Sequence, residues 1–247
     1  MEDAIFTGFY PRIFDQNITS HDFYLSYLRT FVERDVTDEL GVRKTADFSK
    51  NLGLCASRIG NLLDISNLAK SLAISVGTIN SWISLLQTTF VVFLLHPYSQ
   101  NFGKRIIKTP KLYFVDTGLA CHLLNVNSGR QILENSELRG KMFENFVISE
   151  LIKKYYNRGM EPNFYFWRDT NGREIDLIIE CGGKIAYAVE IKSSSTMDLK
   201  YFKNLNSLSE TMSLEPEQRI VVYSGKTSVQ TKYGRFLTID KLDDLVV

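Results

Sequence analysis

The sequence feature that most constrains the fold is a pair of β-rich segments around a glycine pair, within residues 172–195. Gly182-Gly183 between two apolar runs predicts a β-hairpin. Asp176 stands where the first run begins, and Glu190 and Lys192 stand near the end of the second. Because side chains alternate along a strand, Glu190 and Lys192 project from one face and the opposite face is apolar.

An acid followed about fourteen residues later by Glu-x-Lys resembles the pattern of the PD-(D/E)xK nuclease fold. Two carboxylates can hold Mg²⁺, which takes one or two protein carboxylates and keeps several waters. The metal would lower the pKa of a bound water, and a lysine would orient or help deprotonate that water. We therefore predict Asp176 and Glu190 as metal ligands, Lys192 as a catalytic residue, and Mg²⁺ (or Mn²⁺ in its place) as the cofactor. The alternative is an amphipathic surface hairpin with scattered charges.

The functional interpretation makes one geometric demand on the hairpin. Asp176 and Glu190 share a face as cross-strand neighbours only if the numbers of paired residues sum to an even value. A two-residue turn at Gly182-Gly183 pairs Cys181 with Lys184, which gives an odd sum and places the two acids on opposite faces. The sequence therefore predicts a three-residue loop or a β-bulge here.

A third acid lies upstream, in a segment with helical periodicity that begins near Arg139. Glu144 falls inside the apolar arc of this helix, where a carboxylate must be paired, hydrogen-bonded or bound to a metal. We predict Glu144 as an additional catalytic residue and metal ligand. The alternative is a structural role, in which Glu144 binds Arg168, Arg173 or a backbone amide.

The composition bounds the class of protein. The chain has 247 residues, of which 44% are hydrophobic and 23% charged, as in a globular protein with ample core. No run approaches the length of a transmembrane helix, so we expect no membrane association and a cytoplasmic location. The net charge of +1 does not indicate nucleic-acid binding, which would need locally clustered basic residues.

The first half of the chain contains a helix-turn-helix pattern in residues 64–87, with Ser75 as the cap of the second helix. The runs that begin at Phe90 and at Lys111 predict the strands of a wing, so this region resembles a winged helix. The exposed positions of the second helix lack Arg and Lys. The basic group that would decorate the wing and contact DNA without sequence specificity consists of Lys104, Arg105, Lys108 and Lys111. A winged helix that serves as a protein-interaction or spacer module is the alternative.

The second half predicts a helix, three strands, a helix and two strands, which is the order of a nuclease-fold core. A short helix capped by Asp116 ends near Leu124, and a polar linker then runs from Asn125 to Leu138. We therefore expect an α/β (α+β) protein with a helical, winged-helix-like domain at residues 1–125 and a PD-(D/E)xK nuclease-like domain at residues 126–247. Gly225-Lys226-Thr227 lacks the upstream glycine of a P-loop, so this chain alone is not expected to hydrolyse ATP.

Several motifs together resemble one known family over nearly the whole chain. They are Thr7-Gly-Phe-Tyr-Pro-Arg-Ile, Glu33-Arg34-Asp35-Val36, Asn101-x-x-Lys104-Arg105-x-x-Lys108-x-Pro-Lys-Leu-Tyr-Phe-x-Asp116-Thr-Gly-Leu, Gly140-x-x-Phe-Glu144-Asn, Phe166-Trp-Arg-Asp, and Glu174-Ile-Asp176 with Glu190-Ile-Lys192. They are similar to the C-terminal half of prokaryotic AAA+-type P-loop ATPases, which carries domain of unknown function 4143. In that family an ATPase domain normally precedes this segment, so the resemblance implies a shortened chain or a stand-alone relative.

The resemblance implies a winged-helix piece followed by a nuclease-like domain, with an AAA+ ATPase domain as a partner. Our leading hypothesis is a Mg²⁺-dependent DNA endonuclease, or a nuclease-like DNA-processing protein, associated with such an ATPase. The second hypothesis is a non-catalytic DNA- or protein-binding module that serves an ATPase. The near-neutral charge and the absence of basic residues in the second helix favour the second hypothesis.

Overall fold

The structure, a computed structural model, describes residues 1–36, 45–98 and 109–247. This part of the chain is of mixed α/β class, with helices and eight strands in parallel and antiparallel pairings. It divides into two compact units. The first unit comprises Met1–Leu94 and Lys111–Asn145, and the second comprises Leu95–Pro110 and Phe146–Val247. No described helix combines the length and apolar character that crossing a membrane requires.

The first unit is mainly helical. Its helices are α1 (Glu2–Thr7), α2 (Pro11–Asp15), α3 (Ser20–Phe31) with a π-helical extension (Val32–Val36), α4 (Thr45–Ala56), α5 (Ile65–Leu72), α6 (Val76–Thr88), α7 (Thr117–Leu123) and α8 (Gly129–Glu134). Strand β1 spans Val92–Pro97 and strand β2 spans Lys111–Phe114. Helix α9 (Ser136–Asn157) begins in this unit and ends in the second.

The predicted helix-turn-helix pattern corresponds to α5 and α6. Asp64 caps α5 by accepting a hydrogen bond from the Asn67 backbone amide, and Ser75 caps α6 through the amide of Thr78. Such caps satisfy amide groups that the first helical turn leaves without partners. Ile79, Trp82 and other apolar residues of α6 are buried in the first unit. The cap predicted at Ser75 is confirmed.

Asp116 connects several segments of the first unit. Its side chain accepts hydrogen bonds from the backbone amides of Phe9 (2.8 Å) and Leu119 (3.0 Å) and from the hydroxyl of Tyr24 (2.6 Å). The predicted capping of α7 by Asp116 is therefore confirmed. The same contacts fasten the apolar N-terminal segment onto the helices that follow it.

The second unit is built around strands. They are β1 at its C-terminal end, β3 (Phe164–Arg168), β4 (Glu174–Cys181), β5 (Lys184–Lys192), β6 (Arg219–Tyr223), β7 (Val229–Thr231) and β8 (Gly234–Thr238). They lie in the order β1-β3-β4-β5-β6-β8-β7. The β3–β4, β4–β5 and β7–β8 pairs are antiparallel, whereas β1–β3, β5–β6 and β6–β8 are parallel.

A helical segment packs on the face of the sheet that carries Ala188. It consists of a 3-10 turn (Leu199–Phe202) followed by helix α10 (Lys203–Met212). Phe202, Leu205 and Leu208 are fully buried in one cluster with Ile178 and Ala188. Because these residues are large and apolar, their burial stabilises the docking of α10 on the sheet. The helix thereby lies close to the strand residues that neighbour Ala188.

One detail of the sequence-based organisation differs from the structure. The segment from Asn125 to Leu138, predicted as a polar linker, contains α8 and the start of α9. Ser128 caps α8 by accepting a hydrogen bond from the Gln131 backbone amide, and Ile132 of this helix is buried. The division into compact units falls within α9, after Asn145, and the domain boundary at residue 125 stays a prediction.

Candidate metal site

The hairpin formed by β4 and β5 has a two-residue turn and a bulge. Gly182 and Gly183 have φ values of 60° and 78°, which both central residues of a type I′ turn require. Next to the turn, Glu180 pairs with Ile185, but Ile179 pairs with Tyr187. Ala186 is the additional residue on β5, so the register shifts by one at this point.

The bulge brings the two predicted acids to the same side of the hairpin. Beyond it, Leu177 pairs with Val189, and the same register places Asp176 opposite Glu190. The sum of paired residue numbers has changed from odd to even, as the functional interpretation required. The predicted bulge is confirmed. Lys192, two residues after Glu190, lies on the same face.

Specific contacts hold the three side chains together. The Lys192 ammonium donates to Glu190 Oε2 at 2.7 Å and lies 3.7 Å from Asp176 Oδ2. Asp176 Oδ2 also accepts a hydrogen bond of 2.7 Å from the backbone amide of Ile191. The structure therefore brings Asp176, Glu190 and Lys192 into one compact cluster in the second unit.

Burial makes Glu190 an unusual carboxylate. Only 3% of its surface is exposed, whereas Asp176 and Lys192 retain more contact with solvent. Burial, followed by the neighbouring charge of Asp176, raises the pKa of Glu190 to about 8, and Lys192 opposes this rise. A buried carboxylate next to a second carboxylate is expected to retain a proton, because ionisation would place two negative charges in a poorly solvated region.

Asn204, which the sequence analysis did not single out, also contacts this cluster. Its side-chain nitrogen donates to the backbone oxygen of Glu174 at 3.0 Å and to Glu190 Oε1 at 3.3 Å. The contact follows from the docking of α10 on the sheet, which strand patterns do not specify. The available signal was its place in an amphipathic helix, directly before the buried Leu205.

The cluster is chemically suited to a small divalent cation. Two carboxylates converge in a partly buried position, and one ammonium compensates only one of their two potential charges. Mg²⁺ binds through one or two carboxylates and completes its shell with water and substrate oxygens. Within residues 1–36, 45–98 and 109–247, no group of three or more His, Cys, Asp or Glu side chains is arranged to hold a metal.

Glu144 belongs to the first unit, where it has local partners. Its Oε1 accepts a hydrogen bond from the Tyr113 hydroxyl at 2.5 Å and lies 3.4 Å from the Lys111 ammonium. These partners satisfy the requirement that a carboxylate on an apolar helix face be paired. They differ from the arginines and the backbone amide suggested by the sequence for a structural role.

The predicted basic group on the wing is only partly within the described residues. Lys104, Arg105 and Lys108 lie outside them. Lys111 is described and is only 3% exposed. Its expected position on a solvent-exposed wing was therefore wrong, because its ammonium is directed to Glu144 and its strand is buried throughout.

Comparisons with known proteins place the chain in a family. The family model described as Domain of unknown function (DUF8612) matches residues 1–130, which is more than half of the chain. The chain belongs to the DUF8612 family. A second model, Domain of unknown function (DUF4143), matches residues 139–242 of this DUF8612 member. The DUF4143 resemblance is thus confirmed for the second half of the chain, and a different model matches the first half.

Two curated relatives of this DUF8612 member are uncharacterised mycobacterial proteins. They are protein Mb2031c of Mycobacterium bovis and protein Rv2008c of Mycobacterium tuberculosis. Each is 31% identical to the chain over 229 residues, covering 89% of this chain and 49% of the relative. The chain therefore spans about half the length of the curated relatives it matches. No solved structure matches significantly.

Proposed function

We propose that the second unit is a Mg²⁺-dependent nuclease that hydrolyses phosphodiester bonds in DNA. The observation that carries this proposal is the bulge at Ala186, which brings Asp176, Glu190 and Lys192 together on one face of the hairpin. A hairpin without that extra residue would separate the two acids. The cluster thus depends on a local irregularity that a merely amphipathic hairpin does not need.

Asp176 and Glu190 would hold the metal. When bound, Mg²⁺ supplies a water of lowered pKa and offsets negative charge on the phosphate. Lys192 is close enough to both carboxylates to orient a water molecule beside them or to neutralise charge on the substrate. Glu144 keeps its local role as the partner of Lys111 and Tyr113 and is not required by this proposal.

Metal binding at this site would be coupled to proton release. Because the pKa of Glu190 is raised to about 8, this carboxyl group retains a proton in much of the protein near neutral pH. A metal ligand must be deprotonated, so the cation competes with that proton. We therefore expect metal affinity to increase as the pH rises from about 6 to about 8.

The proposal also includes an ATPase domain as the partner and DNA binding by the first unit. The similarity to the C-terminal half of AAA+-type ATPases supports an ATPase domain as the partner, and the helix-turn-helix elements α5 and α6 followed by two strands support a winged helix in the first unit. DNA is the proposed ligand of both units. The basic group at Lys104, Arg105 and Lys108 would contact phosphates without reading sequence.

One observation favours a non-catalytic module as the second candidate. Lys192 already contacts both carboxylates, so part of the negative charge is compensated within the protein. In that case the cluster stabilises the hairpin, and the chain binds DNA or protein for an ATPase. The salt dependence of DNA binding separates a DNA-binding module from a protein-binding one, since phosphate contacts produce a steep decrease in affinity with salt.

The decisive experiment is a cleavage assay on supercoiled, branched and single-stranded DNA with Mg²⁺ or Mn²⁺. Wild type is compared with Asp176→Asn, with Lys192→Met and with the control Glu180→Gln, which alters a carboxylate on the same strand near the turn. We expect metal-dependent cleavage that both site variants lose and the control keeps. A folded wild type that neither cleaves DNA nor binds Mn²⁺ would refute the nuclease proposal in favour of the non-catalytic module.

A further inference from the structure

Helix α10 contributes one polar side chain to the carboxylate cluster. Asn204 is half-buried in the first turn of this helix, next to the fully buried Leu205. The apolar residues of α10 fix the helix against the sheet, so the position of Asn204 is set by core packing. A polar side chain held in this way can act as a fixed hydrogen-bond donor toward the site.

The amide nitrogen of Asn204 uses its two hydrogens on two different strands. One bond reaches the backbone oxygen of Glu174, the first residue of β4, and the other reaches Glu190 Oε1 on β5. The bond to the backbone oxygen orients the amide group and keeps its second hydrogen directed at Glu190. Asn204 therefore links the start of β4 to the end of β5 next to the cluster.

The contacts of Glu190 are divided between its two oxygens. Oε1 accepts from Asn204, whereas Oε2 accepts from Lys192, whose ammonium also lies near Asp176. If Asn204 did not hold Oε1, the carboxyl group could rotate about its terminal bond, a torsion that is broad for glutamate. When Oε1 is held, Oε2 stays next to the Lys192 ammonium, which also lies 3.7 Å from Asp176 Oδ2.

We propose that Asn204 is a positioning residue that holds Glu190 Oε1 and so directs Oε2 toward the position of the metal. This inference rests on the proposed function of the cluster. In this role Asn204 acts through Glu190, to which it donates a hydrogen bond. An amide suits this role because it donates hydrogen bonds without adding a charge that would compete with the cation.

The test compares Asn204→Leu, which keeps the approximate shape but removes the donor, with Asn206→Leu. Asn206 lies on the same helix and accepts a hydrogen bond from Arg219, so its replacement controls for a lost hydrogen bond in α10. Mn²⁺ affinity is measured by calorimetry and the melting temperature by circular dichroism. We expect Asn204→Leu to weaken Mn²⁺ binding about tenfold, as is common for groups that orient metal ligands.

The two variants separate positioning from stability. Asn206→Leu is expected to lower the melting temperature at least as much as Asn204→Leu and to leave Mn²⁺ affinity within about twofold of wild type. Where cleavage is measurable, Asn204→Leu should lower kcat and leave the KM for DNA unchanged. Wild-type Mn²⁺ affinity in Asn204→Leu would overturn the proposal.

A folded wild type that neither cleaves DNA nor binds Mn²⁺ refutes the proposed function, and Asn204 is then tested by structure alone. Crystal structures of the wild type and of Asn204→Leu show whether the Glu190 carboxylate changes its orientation. A rotated carboxylate in the variant supports the positioning role. The same Glu190 conformation in both crystals would overturn it.

Discussion

Replacing Glu190 by glutamine is expected to remove most of the pH dependence of the stability of the second unit between about pH 4.5 and 8. In the folded protein, burial and the adjacent Asp176 raise the pKa of Glu190 from an ordinary value of 4.5 to about 8. In the unfolded chain both causes are absent. Between these two pH values the folded state keeps a proton that the unfolded state has released.

The direction and size of the effect follow from this difference. Because the folded state binds more protons in this window, the free energy of unfolding decreases as the pH rises, and the decrease is complete just above pH 8. One pKa unit corresponds to about 1.4 kcal/mol, so the loss approaches about 5 kcal/mol. Glutamine cannot ionise, so Glu190→Gln should be more stable than wild type at pH 8.5 by several kcal/mol, at most about 5. Near pH 4.5 the two proteins should differ little.

Urea denaturation at pH 5, 6.5 and 8.5 measures this difference. The chain has two tryptophans, and Trp167 lies in β3 beside the hairpin. A Trp82→Phe background, applied to every variant, lets Trp167 fluorescence report on the second unit. Glu210→Gln, which replaces an exposed glutamate of α10, is the matched control and should follow the wild-type profile. Parallel profiles for wild type and Glu190→Gln across this pH range would refute the assignment of Glu190 as a buried, proton-retaining carboxylate.

Three further predictions concern the first unit and its basic residues. Glu144→Gln should destabilise that unit by about 3 kcal/mol, because it removes a negative charge that lies 3.4 Å from the buried Lys111 ammonium. Glu150→Gln, at a partly exposed ion pair, should change stability by less than about 1 kcal/mol, and equal effects in urea denaturation would contradict this. Asp116→Ala removes the acceptor of three hydrogen bonds and should lower the free energy of unfolding by about 3 kcal/mol, whereas Asp64→Ala removes one helix cap and should lower it by about 1 kcal/mol. If urea denaturation shows no larger loss for Asp116→Ala than for Asp64→Ala, Asp116 does not connect the segments of this unit. Fluorescence anisotropy at several salt concentrations should show the same decrease in DNA affinity with salt for Lys111→Met as for wild type, whereas joint alanine replacement of Lys104, Arg105 and Lys108 should make that decrease smaller. A smaller decrease in Lys111→Met would show that this lysine contacts phosphate.

The hairpin could be predicted from sequence because its constraints are local. Glycines at 182 and 183 determine the turn, and the alternation of side chains then determines which face each residue occupies. Given these two facts, Asp176 and Glu190 share a face only if one extra residue is inserted, and the structure places it at Ala186. The sequence could not specify Ala186 in particular, since a longer loop would have met the same condition.

The remaining contacts depend on tertiary packing between distant segments. Lys111 ends a basic run in the sequence and therefore resembled a solvent-exposed cation. In the structure it is buried, with its ammonium near Glu144, a residue 33 positions further along the chain. Periodicity correctly indicated that Glu144 needs a partner, but it carries no information on which residue supplies it. Asn204 reaches Glu190 only because α10 docks on the sheet, and that arrangement depends on the apolar residues around it.

The charge balance of the cluster bears on the proposed metal site. If Lys192 and Glu190 formed a self-sufficient pair, the attraction between them would lower the pKa of the glutamate. Instead, burial and the second carboxylate outweigh the lysine, and the pKa of Glu190 is raised. Two carboxylates and one ammonium are balanced either by a proton on Glu190 or by an additional cation. A divalent cation at the proposed site would bind more strongly as that proton leaves. The pH range in which Glu190 destabilises the fold is therefore the range in which added Mg²⁺ is expected to stabilise it. Magnesium-dependent stabilisation that is larger at pH 8.5 than at pH 5, and that disappears in Glu190→Gln, would link the energetic cost of this buried carboxylate to metal binding.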